Sequence, residues 1–378
     1  MPETDSIMAS NRKYFFVDVF TSKPLSGAQI VVLPDAEGIS DDKMQAIARE
    51  FGTETVFCLP GTDGANTRVR IWTPLKELTF GGHPTIAAIH TLVGPGADLA
   101  HMASKLPPNK TGRVDFTITQ PVGPISVSSE LLNGAPGWCR WGYATECRVD
   151  TGVPFPTTMA ATLGLALDDV ETDTKPPTVG LSVKGERMDV KLYARAVYPK
   201  EIGLPYLIVP VKSYAAVRKA ELNRKLWEDR DCNADEILLI TTDTEFEGST
   251  FHGRLLGLDV GIHEDPPVGS SIPALSAYLL QMVENDKKAA GREPGGQETV
   301  KYSIERGTED RRESKVAGKT RFSLLEVEAS LEPVVASDIP TKRPSGLSGS
   351  AMKVAMKVSG KAVTTGEGVL YDTVFHNN

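Results

Sequence analysis

Two short segments of the sequence place an ionisable side chain beside residues that form tight turns. In the first, Glu54 lies within Gly52–Thr55 and directly precedes the apolar run Val56–Cys58. Burial disfavours the charged form of a carboxylate, so a desolvated glutamate can exchange protons near neutral pH. The segment therefore predicts a general acid or base at Glu54, and the alternative is a solvent-exposed glutamate in a turn.

The second segment, Phe80–Thr85, contains a histidine between two glycines and a proline. Gly81 and Gly82 leave backbone N–H groups exposed, and Pro84 suits the first position of a following helix. Such N–H groups bind anions, for example a substrate carboxylate. We therefore predict that His83 faces a bound anion, and the alternative is a histidine that only makes structural hydrogen bonds.

A related arrangement occurs in the second half of the chain, where Asp265 precedes a glycine and two serines. Gly269, Ser270 and Ser271 are predicted to form the N-terminus of a helix, and Asp265 could hydrogen-bond a ligand or the histidine. The lysine of a phosphate-binding loop is missing here, so a nucleotide site is not predicted. A plain Asp-Pro turn with a serine cap is the alternative.

The turn that contains His83 and the turn that contains Ser270 each precede a strongly apolar helix. The rest of the chain alternates mainly between short strands and loops. Ser40 and Gly52 are expected to start and end a further amphipathic helix. The predicted helices are this one, Thr85–Val93, Thr157–Leu165, Tyr214–Leu226 and Ile272–Val283. The predicted strands are Lys13–Phe20, Gln29–Leu33, Thr55–Leu59, Arg68–Trp72, two within Arg113–Glu130, Lys191–Val197, Leu207–Val211, Glu236–Ile240 and Gly253–Leu256.

Strands outnumber helices and do not alternate regularly with them, which predicts an α+β fold rather than a doubly wound parallel sheet. The turns at 81–84 and 265–271 lie about half the chain apart. We therefore expect a weak internal repeat of two similar lobes with a cleft between them. The predicted boundaries are 14–135 for the N-terminal lobe and 136–366 for the C-terminal lobe, with polar insertions at 285–299 and 329–350 and a final strand, 367–378, packed against the N-terminal lobe.

Composition excludes several classes of protein. The 378 residues carry a net charge of −8, which argues against nucleic-acid binding, and no apolar run approaches the roughly 18 residues that span a bilayer. The polar N-terminus does not have the pattern of a signal peptide. The four cysteines lack metal-ligand spacing and are expected to be reduced thiols in the cytoplasm. No metal, nucleotide or other cofactor is predicted.

A series of short blocks runs along the chain: Asp18–Gly27, Met44–Glu50, Thr53–Thr55, Arg70–Pro74, Phe80–Pro84, Glu264–Pro266, Gly269–Ser270, Val358–Ala362 and Gly366–Gly368. In order and spacing, these blocks resemble the phenazine-biosynthesis PhzF-like proteins. The similarity is dense over residues 14–93 and 257–283 and thinner between them.

The resemblance implies a diaminopimelate-epimerase-like fold, with two pseudo-repeated lobes, each a curved, barrel-like sheet around a central helix, and an active site between the lobes. It implies that Glu54 shuttles a proton while His83, Asp265 and Ser270 assist or bind substrate. It also implies a homodimer. Related racemases use a pair of cysteines at the glycine-rich turns, and neither turn here contains one.

Two departures from the family pattern affect the expected substrate. The segment Gly27–Gln29 reads Gly-Ala-Gln where the family usually has Gly-Asn-Pro, and Pro267–Ser270 reads Pro-Val-Gly-Ser in place of Ala-Thr-Gly-Ser. The second change removes a hydroxyl from the predicted anion site. We therefore expect a substrate other than the phenazine precursor.

The sequence thus predicts a cofactor-independent isomerase of secondary metabolism that moves a proton between carbons of a small carboxylate-bearing or conjugated metabolite. Double-bond migration, tautomerisation and epimerisation remain open. One alternative is a cyclase of the same fold that acts after tautomerisation. The other is a non-catalytic ligand-binding or scaffold protein. The expected partners are a small-molecule substrate and a second copy of the chain, with no nucleic acid and no membrane.

Overall fold

A computed structural model describes residues 11–61, 67–99, 102–150, 156–170, 176–228, 233–256, 268–292, 298–307, 322–332 and 351–375. The chain divides into two compact units. The first unit contains the residues up to Trp141 and those from Ser359 onward, and the second contains Gly142–Val358.

Strands dominate both units. They are β1 (Arg12–Val19), β2 (Ala28–Leu33), β3 (Thr55–Pro60), β4 (Thr67–Trp72), β5 (Glu77–Leu78), β6 (Gly112–Gln120), β7 (Gly123–Leu132), β8 (Ala135–Val149), β9 (Thr178–Val183), β10 (Glu186–Lys191), β11 (Arg195–Pro199), β12 (Tyr206–Pro210), β13 (Glu236–Thr241), β14 (Phe251–Leu256), β15 (Thr299–Arg306), β16 (Ser323–Glu332), β17 (Ala351–Gly360) and β18 (Ala362–Leu370). The helices are α1 (Asp41–Phe51), α2 (Gly82–Val93), α3 (Pro156–Thr162), α4 (Tyr214–Lys219), α5 (Arg224–Glu228) and α6 (Ile272–Ala289).

The first unit is a mixed sheet wrapped around α2. Strand β1 pairs antiparallel with β18 and β2, β2 pairs parallel with β3, and the sheet continues through β4 and β6 to β7. Helix α2 contacts β1, β2, β3, β7 and β18, and every one of its residues is buried. A helix that is apolar on all sides requires such surroundings, and the segment from Thr85 to Val93 carries no acidic or basic residue other than His90.

Helix α1 covers the outside of the same sheet. Its buried residues Met44, Ile47 and Ala48 follow the helical spacing that predicted it, and it packs against β3 and β4. Gly52 ends the helix in the left-handed conformation, with φ of 65°. Gly52 therefore caps the helix two residues before Glu54, as the sequence predicts.

The second unit has the same plan. Strands β11, β12, β13, β14, β15 and β16 pair in that order, β9 joins β10 to β15, and β8 pairs with β11. Helix α6 contacts β10, β11, β12, β15 and β16, and nearly all of its first twelve residues are buried. The predicted α+β class, with a curved sheet around a central helix in each unit, is confirmed. None of the helices in the described ranges is long and apolar enough to cross a bilayer.

Two predicted elements are each divided in the structure. The predicted strand Lys191–Val197 is interrupted between β10 and β11, where the backbone N–H of Tyr193 donates to the hydroxyl of Tyr278 on α6. The predicted helix Tyr214–Leu226 breaks at Ala220, because Arg254 binds the free carbonyls at the end of α4. In both places a contact from a distant part of the chain replaces the local hydrogen-bond pattern.

Other boundaries also differ. Helix α2 begins at Gly82 rather than Thr85, so Pro84 occupies the third helical position and not the first. Helix α6 extends to Ala289, into the predicted insertion 285–299, where Asp286 accepts from the backbone of Lys191 and Lys287 pairs with the buried Glu298. The predicted insertion 329–350 begins inside β16, and residues 333–350 lie outside the described ranges. The sequence patterns did not predict β5, β8, β9, β15, β16 or most of β10.

A buried histidine in α2 makes stability depend on pH. The Nε2 atom of His90 lies 3.1 Å from Oγ1 of Thr364, and burial lowers the pKa of His90 from 6.5 to about 4. The unfolded chain therefore binds this proton more readily than the folded one.

We expect His90 to contribute a loss of unfolding free energy as the pH falls from about 6.5 towards 4, with its full stabilisation retained above this window. The loss is about 3 kcal/mol at most. Urea unfolding at several pH values should show a smaller decline for His90→Gln than for wild type. Parallel pH profiles for the two proteins would contradict the assignment.

Candidate active site

The structure brings Glu54 and His83 into direct contact inside the first unit. Each is only 6% exposed, and the Nε2 atom of His83 is hydrogen-bonded to Oε2 of Glu54. No described residue bonds Oε1 of Glu54 or Nδ1 of His83. The exposed-turn alternative for Glu54 is therefore wrong, and the contact with His83 uses only one of the two carboxylate oxygens.

The backbone around Glu54 is fixed on both sides. The carbonyl of Glu54 accepts from the backbone N–H of Val31, and the hydroxyl of Thr53 donates to the carbonyl of Gln29. Thr55 starts β3, and its hydroxyl donates to the carbonyl of Thr53. The carboxylate is thus presented from a rigid junction between α1 and the sheet, which favours a defined orientation of its free oxygen.

His83 is fixed by a buried chain of hydrogen bonds at the start of α2. Thr85 donates through Oγ1 to the carbonyl of Gly81 at 2.6 Å, and Nε2 of Gln120 donates to Oγ1 of Thr85 at 2.7 Å. Gly81 is the N-cap, and a Cβ there would lie 2.9 Å from the ring of Pro84. The glycine therefore allows the turn to fold closely against its own helix, which sets the direction of His83.

The serine-containing turn in the second unit forms a short 3₁₀ segment, Val268–Ser271, directly before α6. Gly269 and Ser271 are buried, and the hydroxyl of Ser271 donates to the carbonyl of Val268 at 2.7 Å. Ser270 is partly exposed, and its Oγ atom lies 2.8 Å from the hydroxyl of Tyr206. The predicted helix N-terminus is therefore present, while Asp265 lies outside the described residues.

Three residues around these turns were not identified from the sequence. Gln120 supports the turn that carries His83, whereas Tyr206 and Glu236 lie behind Ser270. Each of the three lies at the end of a strand, which gives no local motif. For Tyr206 and Glu236, the one sequence pattern that could have indicated them is a polar side chain at the start of an apolar run, as in Tyr206–Pro210 and Glu236–Thr241.

The cysteines do not supply a thiol pair for racemisation at either turn. Cys58, Cys139 and Cys147 are buried and free, and Cys232 lies outside the described residues. Burial raises the pKa of Cys58 and Cys139 to about 12 and also raises that of Cys147. A thiol that stays protonated is a poor base and nucleophile.

We therefore expect Cys58, Cys139 and Cys147 to resist alkylation in the folded protein and to react after unfolding. Treatment with iodoacetamide with and without guanidinium, followed by peptide mass spectrometry, measures this directly. Rapid modification of any of these three thiols in the native protein would contradict the prediction.

The first unit also contains a cavity of about 130 Å³ away from the Glu54–His83 pair. Asp35, Cys58 and Met102 are among the residues that line it. Asp35 is already paired with Arg12, and the Cys58 thiol is held in its neutral form. We therefore do not place the chemistry there. The described residues contain no cluster of histidine, cysteine and carboxylate side chains suited to a metal ion.

Comparison with curated proteins identifies relatives that are named as isomerases. An uncharacterized isomerase of Mesorhizobium japonicum is 28% identical over 71% of this chain and 80% of its own length. The trans-2,3-dihydro-3-hydroxyanthranilate isomerase of Pseudomonas aeruginosa is 30% identical over 38% of this chain and 51% of its own length. These names confirm the prediction of an isomerase-type enzyme.

Comparison with solved structures supports the fold. A phenazine biosynthesis protein of the PhzF family from Bacillus anthracis aligns over 95% of this chain and 99% of its own, with a TM-score of 0.64 and 21% identity. A predicted epimerase from Pseudomonas aeruginosa aligns over the same share of this chain, with a TM-score of 0.57 and 23% identity. The predicted diaminopimelate-epimerase-like fold is confirmed.

The family itself is established by sequence. The model of the phenazine biosynthesis-like proteins, PhzC-PhzF, matches residues 17–120 and 183–323, which is well over half of the chain. The first matched range contains both Glu54 and His83, and the second contains Tyr206, Glu236 and Ser270. This chain belongs to the phenazine biosynthesis-like protein family.

Proposed function

We propose that this protein is a cofactor-independent isomerase in which Glu54 moves a proton between two carbons of a small carboxylate-bearing or conjugated metabolite. The observation that carries the proposal is the buried Glu54–His83 contact, which retains a free carboxylate oxygen. A carboxylate in a closed site can keep an abstracted proton long enough to return it to another carbon, because water is excluded.

The proposed reaction balances within the substrate and one side chain. Glu54 takes a proton from a carbon next to a conjugated system, and the electron pair of the broken C–H bond spreads into that system. The protonated Glu54 then gives the proton to a different carbon, which shifts the double bond. His83 binds Oε2 of Glu54, which directs the other carboxylate oxygen, Oε1, to the substrate.

The proposal extends to the predicted substrate contacts. Gly81 and Gly82 lie at the N-terminus of helix α2, and their backbone N–H groups are proposed to bind an anionic group of the substrate. The positive end of the helix dipole favours such a group there. Gly269, Ser270, Ser271 and Asp265 are the remaining proposed binding residues. We also carry forward the predicted homodimer, cytoplasmic location and role in secondary metabolism as parts of this proposal.

The named relatives support a cyclic, unsaturated amino acid as the first compound to test. By its name, the Pseudomonas aeruginosa relative isomerises trans-2,3-dihydro-3-hydroxyanthranilate. That protein aligns with only 38% of this chain, and the turn Pro267–Ser270 departs from the family pattern. We therefore propose a substrate of this chemical class that is not the phenazine precursor.

The test is conversion in heavy water. An extract of the source organism, with trans-2,3-dihydro-3-hydroxyanthranilate assayed separately, is incubated in D₂O with protein and analysed by mass spectrometry. We expect one metabolite to be converted to an isomer of the same mass, apart from deuterium gained. A closed site can return the original proton, so conversion is the decisive readout. Ring closure would favour the cyclase, and tight binding without any turnover would favour the ligand-binding alternative.

A further inference from the structure

The hairpin of β6 and β7 is bonded to the turn that carries His83. The backbone N–H of Val122, at the tip of the hairpin, donates to the carbonyl of Thr79 at 3.2 Å. Gln120, the last residue of β6, is 2% exposed, and its Nε2 atom lies 2.7 Å from Oγ1 of Thr85. Thr85 is completely buried near the start of α2. The turn is therefore held from outside its own helix.

The chemical groups in these contacts set the direction of each hydrogen bond. A backbone carbonyl can only accept, so the hydroxyl of Thr85 donates its one proton to the carbonyl of Gly81 at 2.6 Å. The proton in the contact between Thr85 and Gln120 must then come from the amide group of Gln120. Donation therefore runs from Gln120 through Thr85 to Gly81.

The carbonyl of Gly81 accepts both the hydroxyl and the backbone N–H of Thr85. The N–H donates at 3.0 Å, as the first intrahelical bond of α2. In a planar trans peptide the C=O and N–H groups point in opposite directions. The N–H of Gly82 belongs to the same peptide as this carbonyl, so it points out of the N-terminal end of the helix. As an N–H of the first turn, it has no acceptor within its own helix.

Hydrogen bonds at this carbonyl also affect the N–H at the other end of the peptide. Donors at the oxygen polarise the peptide, and hydrogen bonds in a chain strengthen one another by roughly 10–30% per bond. The N–H of Gly82 therefore becomes a stronger donor when Thr85 donates to Gly81. Gln120 favours this orientation of the Thr85 hydroxyl, because a donor at its oxygen directs the hydroxyl proton away from Gln120 and towards Gly81.

We infer that Gln120 is a positioning residue for substrate binding, which acts through Thr85 to orient the N–H of Gly82 and to strengthen it as a donor to an anionic group of the substrate. The inference rests on the proposed function, because it takes this N–H as a substrate contact. A carboxylate is the kind of group favoured here, since hydrogen bonds to a charged acceptor are the strong ones.

The N–H of Gly82 is observable by NMR spectroscopy. The sequence contains two Gly-Gly pairs, Gly81–Gly82 and Gly295–Gly296, so glycine labelled with carbonyl ¹³C and with ¹⁵N leaves two signals in a carbonyl–nitrogen correlation spectrum. Gly296→Ala removes one signal and identifies the other as Gly82. Sodium acetate is the probe, because its small carboxylate fits a helix end whatever the shape of the substrate pocket. We expect acetate to shift the Gly82 signal in a saturable way.

Three variants test the chain of contacts. Thr85→Val keeps the shape without the hydroxyl, and it should weaken acetate binding by about fivefold, the value of one hydrogen bond of about 1 kcal/mol. It should also shift the Gly82 nitrogen signal in the absence of acetate. Thr85→Ser keeps the hydroxyl and should bind acetate as wild type does. Gln120→Met has a similar volume without a donor, and it should weaken binding by a smaller factor, since the hydroxyl remains but is no longer directed.

A double variant distinguishes a role through Thr85 from a general loss of stability. If Gln120 acts only through Thr85, adding Gln120→Met to Thr85→Val should change acetate affinity no further. Multiplied losses, or wild-type affinity in Thr85→Val or in Gln120→Met, would overturn the inference. So would weakened binding in Thr85→Ser, or a Gly82 signal that does not respond to acetate.

The second unit offers a control for the loss of this type of bond. Thr162 is also buried, and its Oγ1 atom donates to the carbonyl of Thr158 at 2.9 Å. Thr162→Val should therefore remove a similar bond and leave the Gly82 signal and the acetate affinity unchanged. If it weakens acetate binding as Thr85→Val does, the effect is structural and the inference is wrong.

The outcomes also separate this inference from the proposed function. Full conversion by Glu54→Gln would remove the proposed function but leave the response of Gly82 to acetate as measured. Conversely, multiplied losses in the double variant together with an inactive Glu54→Gln would leave the isomerase proposal intact and reject only the role of Gln120.

Discussion

Replacing Glu54 with glutamine is expected to lower turnover of the isomerised metabolite by about 10²–10⁴-fold, the usual contribution of a general acid or base. Glutamine has nearly the same shape and can still contact Nε2 of His83, so the buried pair should remain packed. It cannot accept a proton from carbon, however. The measurement is the rate of conversion in D₂O by wild type and variant at equal concentrations, with substrate binding measured separately.

The second unit provides a matched control for this substitution. Glu305 and His252 form another buried glutamate–histidine pair, with 3.0 Å between Oε1 and Nδ1. Glu305 also accepts from the backbone N–H groups of Glu245 and Phe246, which anchor a loop. Glu305→Gln should therefore reduce stability and leave turnover of the folded protein close to wild type. A loss of only a few fold in Glu54→Gln, or an equal loss in both variants, would contradict the role of Glu54.

The contrast between these two pairs shows what the sequence could and could not reveal about the site. Glu54 and His83 lie in short segments with glycines, and the resemblance of both segments to one family linked the two residues. Glu305 and His252 lie inside ordinary strands, and no local pattern distinguished them. Tyr206 and Glu236 escaped detection for the same reason, because their contact depends on the register of two parallel strands.

The fold shows a similar division between local and distant causes. Helix α1 was predictable to within a residue because its cap, its apolar spacing and Gly52 are all local signals. The break between α4 and α5 was not predictable, since it depends on Arg254, about 35 residues further along the chain. The start of α2 was also missed, because glycine and proline at its first turn weaken the helical signal.

The turn between β1 and β2 makes a separate prediction about stability. Gly27 lies in this turn with φ of +67°, and a Cβ there would lie 2.2 Å from the carbonyl oxygen of Val19. We expect Gly27→Ala to lower the free energy of unfolding by about 2–5 kcal/mol, since left-handed strain and a backbone clash add together. Equilibrium urea unfolding measures the change.

Gly38→Ala separates the two contributions, because Gly38 also has a positive φ, +80°, but no atom lies within 4 Å of its would-be Cβ. It should cost only about 1–2 kcal/mol. Equal losses in the two variants would show that the clash with Val19 adds nothing to the cost of the left-handed conformation.

A larger loss in Gly27→Ala would show that the clash displaces the hairpin of β1 and β2. That displacement would also move the carbonyl of Gln29, which holds Thr53 beside Glu54. Gly27→Ala should then also slow conversion, which would explain this glycine as a support of the catalytic junction rather than a substrate contact.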